Sequence, residues 1–252
     1  VVTDENGCSD TVTVEITEPE IGVEVTEEHS DYTGAGVSCN GQTDGFINLT
    51  TIGGTETYTY DWTDQDGNTV TANEQGNLEN IGAGTYTAVV TDENGCSDTV
   101  TVEITENEPV AVSEEHSNYA EYGVSCKNET DGFINLTTTG GTETYTYDWT
   151  DQDGNAVTAN DQGNLENIGA GTYTAVVTDE NGCSDTVTVE ITENEPVAVS
   201  EEHSDYAGFG VSCKNETDGF INLTTTGGTQ VYTYNWTDQD GNAVTANDQG
   251  NL

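Results

Sequence analysis

The feature that most constrains this chain is internal repetition with a period of about 87 residues. Cys39, Cys126 and Cys213 stand 87 residues apart, and the three tryptophans repeat at the same interval. Repetition decides the number of domains in a chain of this length. We therefore interpret the 252 residues as successive copies of one small domain.

The repeat also predicts where the domains begin and end. The first interval carries one extra residue in the segment Glu18–Thr26, and insertions are tolerated in linkers. The chain starts within a copy, so we expect it to be part of a longer array. We predict residues 1–18 as the final strand of a preceding repeat, 19–106 as repeat one, 107–193 as repeat two, and 194–252 as repeat three, interrupted before its last two strands.

Short alternating runs of Thr, Val, Tyr and Ile, separated by Gly, Asn and Asp, predict strands and no helices. About seven short strands with a tryptophan on the third are typical of an immunoglobulin-like sandwich. We therefore predict an all-β fold, a tandem array of immunoglobulin-like β-sandwich domains. The predicted strands of repeat one are Gly22–Glu28, Phe46–Thr51, Tyr58–Trp62, Thr69–Ala72, Leu78–Ile81, Thr85–Asp92 and Ser97–Thr105.

The aromatic residues are predicted to build the core of each sandwich. Tyr58, Tyr60 and Trp62 alternate along one strand and therefore share one face. Tyr86 stands where such folds place a tyrosine corner. The alternative is an exposed platform on which sugars stack.

The charge of the chain excludes one class of partner. Aspartate and glutamate number 48 against two lysines and no arginine, which gives a net charge of −46. Phosphate binding needs the opposite sign, so nucleic acid is excluded, and an anionic membrane surface is not expected for the same reason. Two explanations of the acidity stay open, a solvated coat and a set of sites for divalent cations.

We predict calcium at the junctions between repeats. In end-to-end sandwiches, the turn after the third strand of one domain faces the last turn of the next. Carboxylates gathered there would repel one another unless a cation bridged them, and calcium accepts oxygen ligands in flexible geometry. The alternative is a set of ordinary tight turns. The predicted ligands are Asp64, Asp66, Asn68, Glu106, Glu108, Asp151, Asp153, Asp179 and Glu180.

The six cysteines, two to a repeat, lack Cys-x-x-Cys spacing and predict disulfides in an oxidising compartment, with buried free thiols as the alternative. Cys39 and Cys96 are expected at opposite poles of one sandwich, whereas a disulfide needs Cα atoms within about 7 Å. Cys183 belongs to the pole of the next repeat that faces Cys39, so we favour the pair Cys39–Cys183. The pairs Cys39–Cys96 and Cys126–Cys183 stay open because the segment between the first two strands is long.

Three motifs resemble the SprB-type repeat of Bacteroidota surface proteins, a family that includes very long gliding adhesins. They are Ser-Cys-Asn-Gly-Gln-Thr-Asp-Gly at 38–45, Gly-Gly-Thr-Glu-Thr-Tyr-Thr-Tyr-Asp-Trp at 53–62, and Ala-Gly-Thr-Tyr-Thr-Ala-Val-Val-Thr-Asp-Glu-Asn-Gly-Cys at 83–96. The resemblance covers nearly the whole chain and implies a secreted, tandem immunoglobulin-like array. Thr11, Thr99 and Thr186 follow Asp and precede Val, as in the Asp-Thr-aliphatic acceptor of O-glycans in Bacteroidota.

No catalytic constellation is set apart from the scaffold, because every polar candidate recurs with the repeat, so we predict no enzyme. We expect an extracellular structural segment of a surface fibre or adhesin stalk, stiffened by calcium and disulfides. Its expected partners are neighbouring repeats and copies of itself in a filament. Alternatives are a glycan-binding adhesive module and an acidic spacer of a larger surface enzyme. No apolar run is long enough to span a membrane.

Overall fold

The computed structural model describes all residues from Val1 to Leu252. All regular elements are strands, and no helix is able to cross a membrane. The chain forms two compact units. The first comprises Val1–Pro109, Gly140–Thr144 and Asp179–Cys183, and the second comprises Val110–Thr139, Tyr145–Thr178 and Ser184–Leu252. The repeat boundaries proposed above follow the sequence period rather than these units and stay a prediction.

The first unit contains a short hairpin and a complete sandwich. The hairpin pairs β1 (Val2–Thr3) with β2 (Ser9–Asp10). The sandwich has two antiparallel sheets, of order β3-β4-β7 and β6-β5-β8-β9, which enclose one core. This seven-stranded architecture confirms the predicted immunoglobulin-like fold. Its strands are β3 (Glu24–His29), β4 (Gly45–Ile52), β5 (Thr59–Thr63), β6 (Thr69–Val70), β7 (Leu78–Ile81), β8 (Gly84–Thr91) and β9 (Ser97–Ile104).

The second unit contains a second sandwich with the same strand order, β10-β11-β14 and β13-β12-β15-β16. Its strands are β10 (Ala111–His116), β11 (Gly132–Thr139), β12 (Tyr145–Asp151), β13 (Ala156–Val157), β14 (Leu165–Ile168), β15 (Gly171–Asp179) and β16 (Ser184–Ile191). The third repeat supplies two strand pairs, β17 (Ala198–His203) with β18 (Ile221–Thr226) and β19 (Trp236–Thr237) with β20 (Ala243–Val244).

Trp62 lies at the centre of the first core and is only 1% exposed. Its indole N–H donates a hydrogen bond of 2.8 Å to the carbonyl of Gly76, so the polar atom of this large side chain is satisfied. Ile47, Ala88 and Ile104 are buried in the same cluster. The alternation of apolar residues along the strands therefore predicted the centre of the core.

The tyrosines lie at the edge of the core and anchor loops. Tyr58 and Tyr60, predicted to be inside, are half-buried. The hydroxyl of Tyr58 donates to the carbonyl of Gly53, and that of Tyr86 donates to the carbonyl of Gly82 at 3.0 Å. The second of these bonds is the expected tyrosine corner.

The segment between β3 and β4 contributes to the core although no strand was predicted there. Val37 belongs to the segment between β3 and β4 and is completely buried. The backbone N–H groups of Gly36 and Val37 both donate to the carbonyl of Thr105, which fixes the segment against the end of β9. The segment therefore packs as part of the sandwich although its sequence has no strand pattern.

Candidate functional site: the loop and turn joined by a disulfide

A disulfide within the first unit joins Cys39 to Cys183, with Cα atoms 5.6 Å apart and 144 residues between them in sequence. Cys39 lies in the loop between β3 and β4 of repeat one, which we call the joint loop (residues 30–44). Cys183 ends the turn between β15 and β16 of repeat two, which we call the joint turn (Asp179–Cys183). The pairings Cys39–Cys96 and Cys126–Cys183 are not formed, since Cys96 and Cys126 are free and exposed.

Two hydrogen bonds accompany the disulfide. The side-chain amide of Asn181 donates to the carbonyl of Tyr32 at 3.1 Å, and the hydroxyl of Thr33 donates to Asn181 Oδ1 at 3.1 Å. Both polar atoms of the Asn181 side chain, Oδ1 and Nδ2, therefore form hydrogen bonds with the joint loop. These contacts involve no charged group, which suits a chain with so many carboxylates.

The carboxylate of Asp179 shapes the joint turn from inside. Asp179 is almost completely buried, and its Oδ1 accepts the N–H groups of Asn181 and Cys183 at 3.0 and 2.8 Å. Its Oδ2 accepts the N–H of Thr142 at 3.1 Å. This candidate calcium ligand therefore already has three backbone donors around its two oxygens.

The acidic turn Asp64–Asn68 has the same construction. Oδ1 of Asp64 accepts the N–H groups of Asp66 and Asn68 at 2.9 and 2.8 Å, and the side-chain amide of Asn68 reaches Oδ2 at 3.0 Å. The hydrogen bonds from Asn68 hold the pKa of Asp64 below its usual value. Asp151–Asn155 repeats this geometry in the second repeat. The same tight turn is therefore repeated along the chain.

The other predicted ligands are dispersed. Oε2 of Glu106 accepts the N–H of Gly41 in the joint loop at 2.7 Å. The side chains of four more make no hydrogen bond: Asp66, Glu108, Asp153 and Glu180. No group of three or more His, Cys, Asp or Glu side chains comes together in a way able to hold a metal ion. The expected gathering of carboxylates is therefore replaced by contacts of the joint turn with Tyr32 and Thr33.

The loop of repeat two that corresponds to the joint loop carries one of the two lysines. Lys127 Nζ lies 2.7 Å from Oε1 of Glu193, whose Oε2 accepts the N–H of Asn128 at 2.9 Å. The hydrogen bond between the Lys127 and Glu193 side chains raises the pKa of Lys127 and lowers that of Glu193. Glu193 is the counterpart of Glu106, so the same glutamate fastens this loop in both repeats.

The Asp-Thr-Val motif has a structural role as well as an exposed threonine. Oδ2 of Asp98 accepts the N–H of Val25 in β3 at 2.9 Å, which ties β9 to β3, and Oδ1 accepts the N–H of Thr99. The bond from Val25 is the main reason why the pKa of Asp98 is lowered. The side chains of Thr99 and Thr186 are exposed, so both are open to modification.

Comparison with known proteins identifies one family. The model of the SprB repeat matches residues 36–67, 124–154 and 211–241, one match in each repeat and each beginning in the joint loop or its counterpart. No characterised protein matches the sequence as a relative.

Among solved structures, a tetra-tandem repeat from the extending region of a large adhesion protein is 18% identical, with 100% of this chain and 70% of that chain covered and a TM-score of 0.27. An amphioxus IgVJ-C2 molecule is 16% identical, with coverages of 68% and 96% and a TM-score of 0.28. The insect immune protein hemolin is 15% identical, with coverages of 68% and 43% and a TM-score of 0.30. Because these scores are low, the fold assignment rests on the strand order.

Proposed function

We propose that this chain, in which the model of the SprB repeat matches one stretch of each of the three repeats, is a structural segment of a long secreted fibre or adhesin stalk. The observation that carries the proposal is the Cys39–Cys183 disulfide, which joins one repeat covalently to the turn of the next. In such a stalk each repeat adds length, and each joint limits bending.

The aromatic core supports this role over the alternative of a glycan-binding module. Trp62 and Trp149 are 1% and 2% exposed, so their rings are not offered to a ligand. An acidic spacer beside an enzyme would need no covalent link between its repeats. The disulfide therefore favours a load-bearing or distance-keeping segment.

The spread of distances between two repeats tests the proposal. Spin labels carried by non-natural amino acids at the exposed positions Thr99 and Thr186 would report that spread by pulsed electron resonance. We expect a narrow distribution in the oxidised chain. We expect a broad distribution in the Cys39→Ser, Cys183→Ser double variant, because the linker is then the only covalent connection between the two repeats.

The matched control is Cys96→Ser, which removes an exposed thiol with no partner in this chain. It should leave the distribution narrow. Equal widths in the native chain and the double variant, with both sandwiches shown to be folded by circular dichroism, would contradict the proposed stiffening.

Calcium binding is a further part of the proposal. The net charge of −46 and the free carboxylates of Asp66 and Asp153 support it. A cation that binds the folded chain preferentially raises the unfolding temperature. We expect millimolar calcium to raise it relative to chelator at constant monovalent salt, and Asp66→Asn with Asp153→Asn to reduce that rise. Glu56→Gln, an exposed acid outside the predicted set, is the control, and the absence of any rise would make the carboxylates a solvated coat.

O-glycosylation of Thr11, Thr99 and Thr186 stays a proposal supported by the exposure of these threonines. Mass spectrometry of the chain secreted by a Bacteroidota host would detect the added sugar on each peptide. A Thr99→Val variant should lose it at that site only.

A further inference from the structure

Two turns of identical sequence, Asp-Glu-Asn-Gly-Cys, connect the last two strands of the two sandwiches. They are Asp92–Cys96 and the joint turn Asp179–Cys183. In each turn, Oδ1 of the aspartate accepts the N–H groups of the asparagine and the cysteine at 3.0 and 2.8 Å. The N–H of the glycine donates to the carbonyl of the same aspartate at 3.0 Å in the first turn and 3.1 Å in the second. Because these hydrogen bonds match, a difference in reactivity between the turns must come from other side-chain contacts.

The asparagine side chain is where the two turns differ. Asn94 is exposed, and its Nδ2 donates to Oγ1 of Thr55 in the same repeat at 2.9 Å. Asn181 is half-buried, and its Oδ1 and Nδ2 bond to Thr33 and Tyr32 of the joint loop. Turning the side-chain amide of Asn181 therefore breaks two hydrogen bonds, whereas turning that of Asn94 breaks one.

Glycine follows the asparagine in both turns, and this order of residues permits hydrolysis of the side-chain amide. The backbone nitrogen of a glycine approaches Cγ of the preceding asparagine easily, because glycine has no side chain in the way and few restrictions on its backbone. Gly95 and Gly182 are exposed, and a Cβ built on either would meet no atom within 4 Å. The reaction then requires only that the asparagine amide turn toward the glycine nitrogen.

We propose that Asn181 is a site of deamidation and that the joint loop controls the rate by holding the side-chain amide. The backbone nitrogen of Gly182 loses its proton to hydroxide and attacks Cγ of Asn181. A cyclic imide forms as the Cγ–Nδ2 bond breaks and ammonia leaves. Water then opens the ring, at Cγ to give aspartate or at the main-chain carbonyl carbon to give isoaspartate. The net change is one water consumed and one ammonia released, with no oxidant or reductant.

The product weakens the joint that protected the amide. A carboxylate at position 181 has no N–H to donate to the carbonyl of Tyr32, so that hydrogen bond is lost. It also adds a negative charge next to Glu180 in a chain whose net charge is already −46. Opening of the joint therefore speeds the reaction, and the reaction opposes closing of the joint. Each deamidated Asn181 marks a joint that has opened.

Mass spectrometry of the oxidised full chain, incubated in mildly alkaline buffer, measures the rate at each asparagine. Chymotryptic peptides prepared without reduction distinguish the two turns, because one peptide carries the free Cys96 and the other is linked through Cys183 to Cys39. We expect deamidation of Asn181 to be about 2- to 10-fold slower than that of Asn94, because one more hydrogen bond must break. Equal rates, or a faster rate at Asn181, would overturn the proposal.

The Thr33→Ala variant tests the role of the joint loop without altering the turn. Thr33 has a φ of 52°, and Ala120 and Ala207 occupy the corresponding positions at 52° and 54°, so alanine suits this backbone. We expect the rate at Asn181 to rise about 2- to 10-fold, since one of its two hydrogen bonds is lost. Asn94 in the same molecules is the internal control and should keep its native rate. An unchanged rate at Asn181, or an equal rise at Asn94, would contradict control by the loop.

The Cys39→Ser, Cys183→Ser double variant releases the joint turn itself. Its rate at Asn181 should rise toward that at Asn94, and the substitution at position 183 distinguishes the two peptides. Cys96→Ser is the matched control and should leave the rate at Asn181 at its native value. A rate at Asn181 that stays at the native value in the double variant would overturn the proposal.

The Asn181→Asp variant tests the consequence of the reaction. In glutathione redox buffers, the equilibrium for forming the Cys39–Cys183 bond should be about 2- to 10-fold less favourable than in the native chain, because the bond to Tyr32 is lost. Asn94→Asp adds the same charge to the identical turn outside the joint and should leave the equilibrium unchanged. Equal equilibria for the native chain and Asn181→Asp would show that the amide does not hold the joint and would overturn the proposal. These outcomes leave the spin-label test of the proposed function unaffected.

Discussion

The Cys39–Cys183 bond should hide a large part of the chain from mechanical extension. The two cysteines are 144 residues apart. An extended chain spans about 3.3–3.6 Å per residue, so the closed loop contains about 500 Å of contour length. Pulled at its ends, the native chain should therefore reach a total extension about 500 Å shorter than a chain without the bond. Strands β10–β15 of the second sandwich lie inside the loop, whereas β16 follows Cys183 and carries the force.

Single-molecule force spectroscopy with handles at the two termini measures this extension directly. We compare the native oxidised chain with the Cys39→Ser, Cys183→Ser double variant, which should gain the hidden length. The Cys96→Ser, Cys126→Ser double variant is the control, because it removes the cysteines of the alternative pairings. Equal extension of the native chain and the first variant, or a gain of length in the control, would refute the reasoning.

Two further predictions concern the stability of a single sandwich. Gly154 and Gly163 both have φ near +79°, a conformation that costs alanine about 1–2 kcal/mol, but only the Cβ of Gly163→Ala would lie 2.4 Å from the ring of Tyr147. Denaturant unfolding should therefore find Gly163→Ala less stable than Gly154→Ala, and equal losses would contradict the contact. The hydrogen bonds of Asp98 lower its pKa below 3.8 in the fold, so they stabilise the chain above that value, and this stabilisation is lost as the pH falls through the folded pKa. Asp98→Asn should be destabilising at pH 7 and progressively less so below pH 3.8, and a destabilisation that stays the same across this pH range would contradict the reasoning.

The sandwich could be predicted from sequence because its strands carry their own periodicity. The run from Ser97 to Thr105 alternates polar and apolar residues, and the structure has β9 over Ser97–Ile104. The predicted strand Thr69–Ala72 is shorter, since Asn73 begins a turn in which its side chain accepts the N–H groups of Gln75 and Asn77. Side-chain competition of this kind ends a strand without any change in apolar pattern.

The candidate site was harder to predict because its contacts are not periodic. The position of the joint turn depends on a hydrogen bond from Asn181 to the backbone carbonyl of Tyr32. No sequence pattern reports where that carbonyl lies. The acidic turns illustrate a second difficulty. A sequence such as Asp64–Asn68 is typical both of an oxygen-rich ligand loop and of a turn in which the aspartate accepts backbone N–H groups. In the structure, Oδ1 of Asp64 accepts the backbone N–H groups of Asp66 and Asn68.

The chemistry of the joint also explains how so acidic a chain can hold its repeats together. Exposed charges are screened by salt, so a joint made of ion pairs would strengthen or weaken with ionic strength. This joint is made of a disulfide, an amide, a hydroxyl and a backbone carbonyl. Repulsion among the carboxylates should therefore change with salt while the link between Cys39 and Cys183 does not. In the spin-label experiment, we expect the native distribution to stay narrow from about 0.01 M to 1 M salt, where the Debye length falls from about 30 Å to 3 Å. A distribution that broadens at low salt would mean that charge repulsion, rather than the covalent joint, governs the spacing of the repeats.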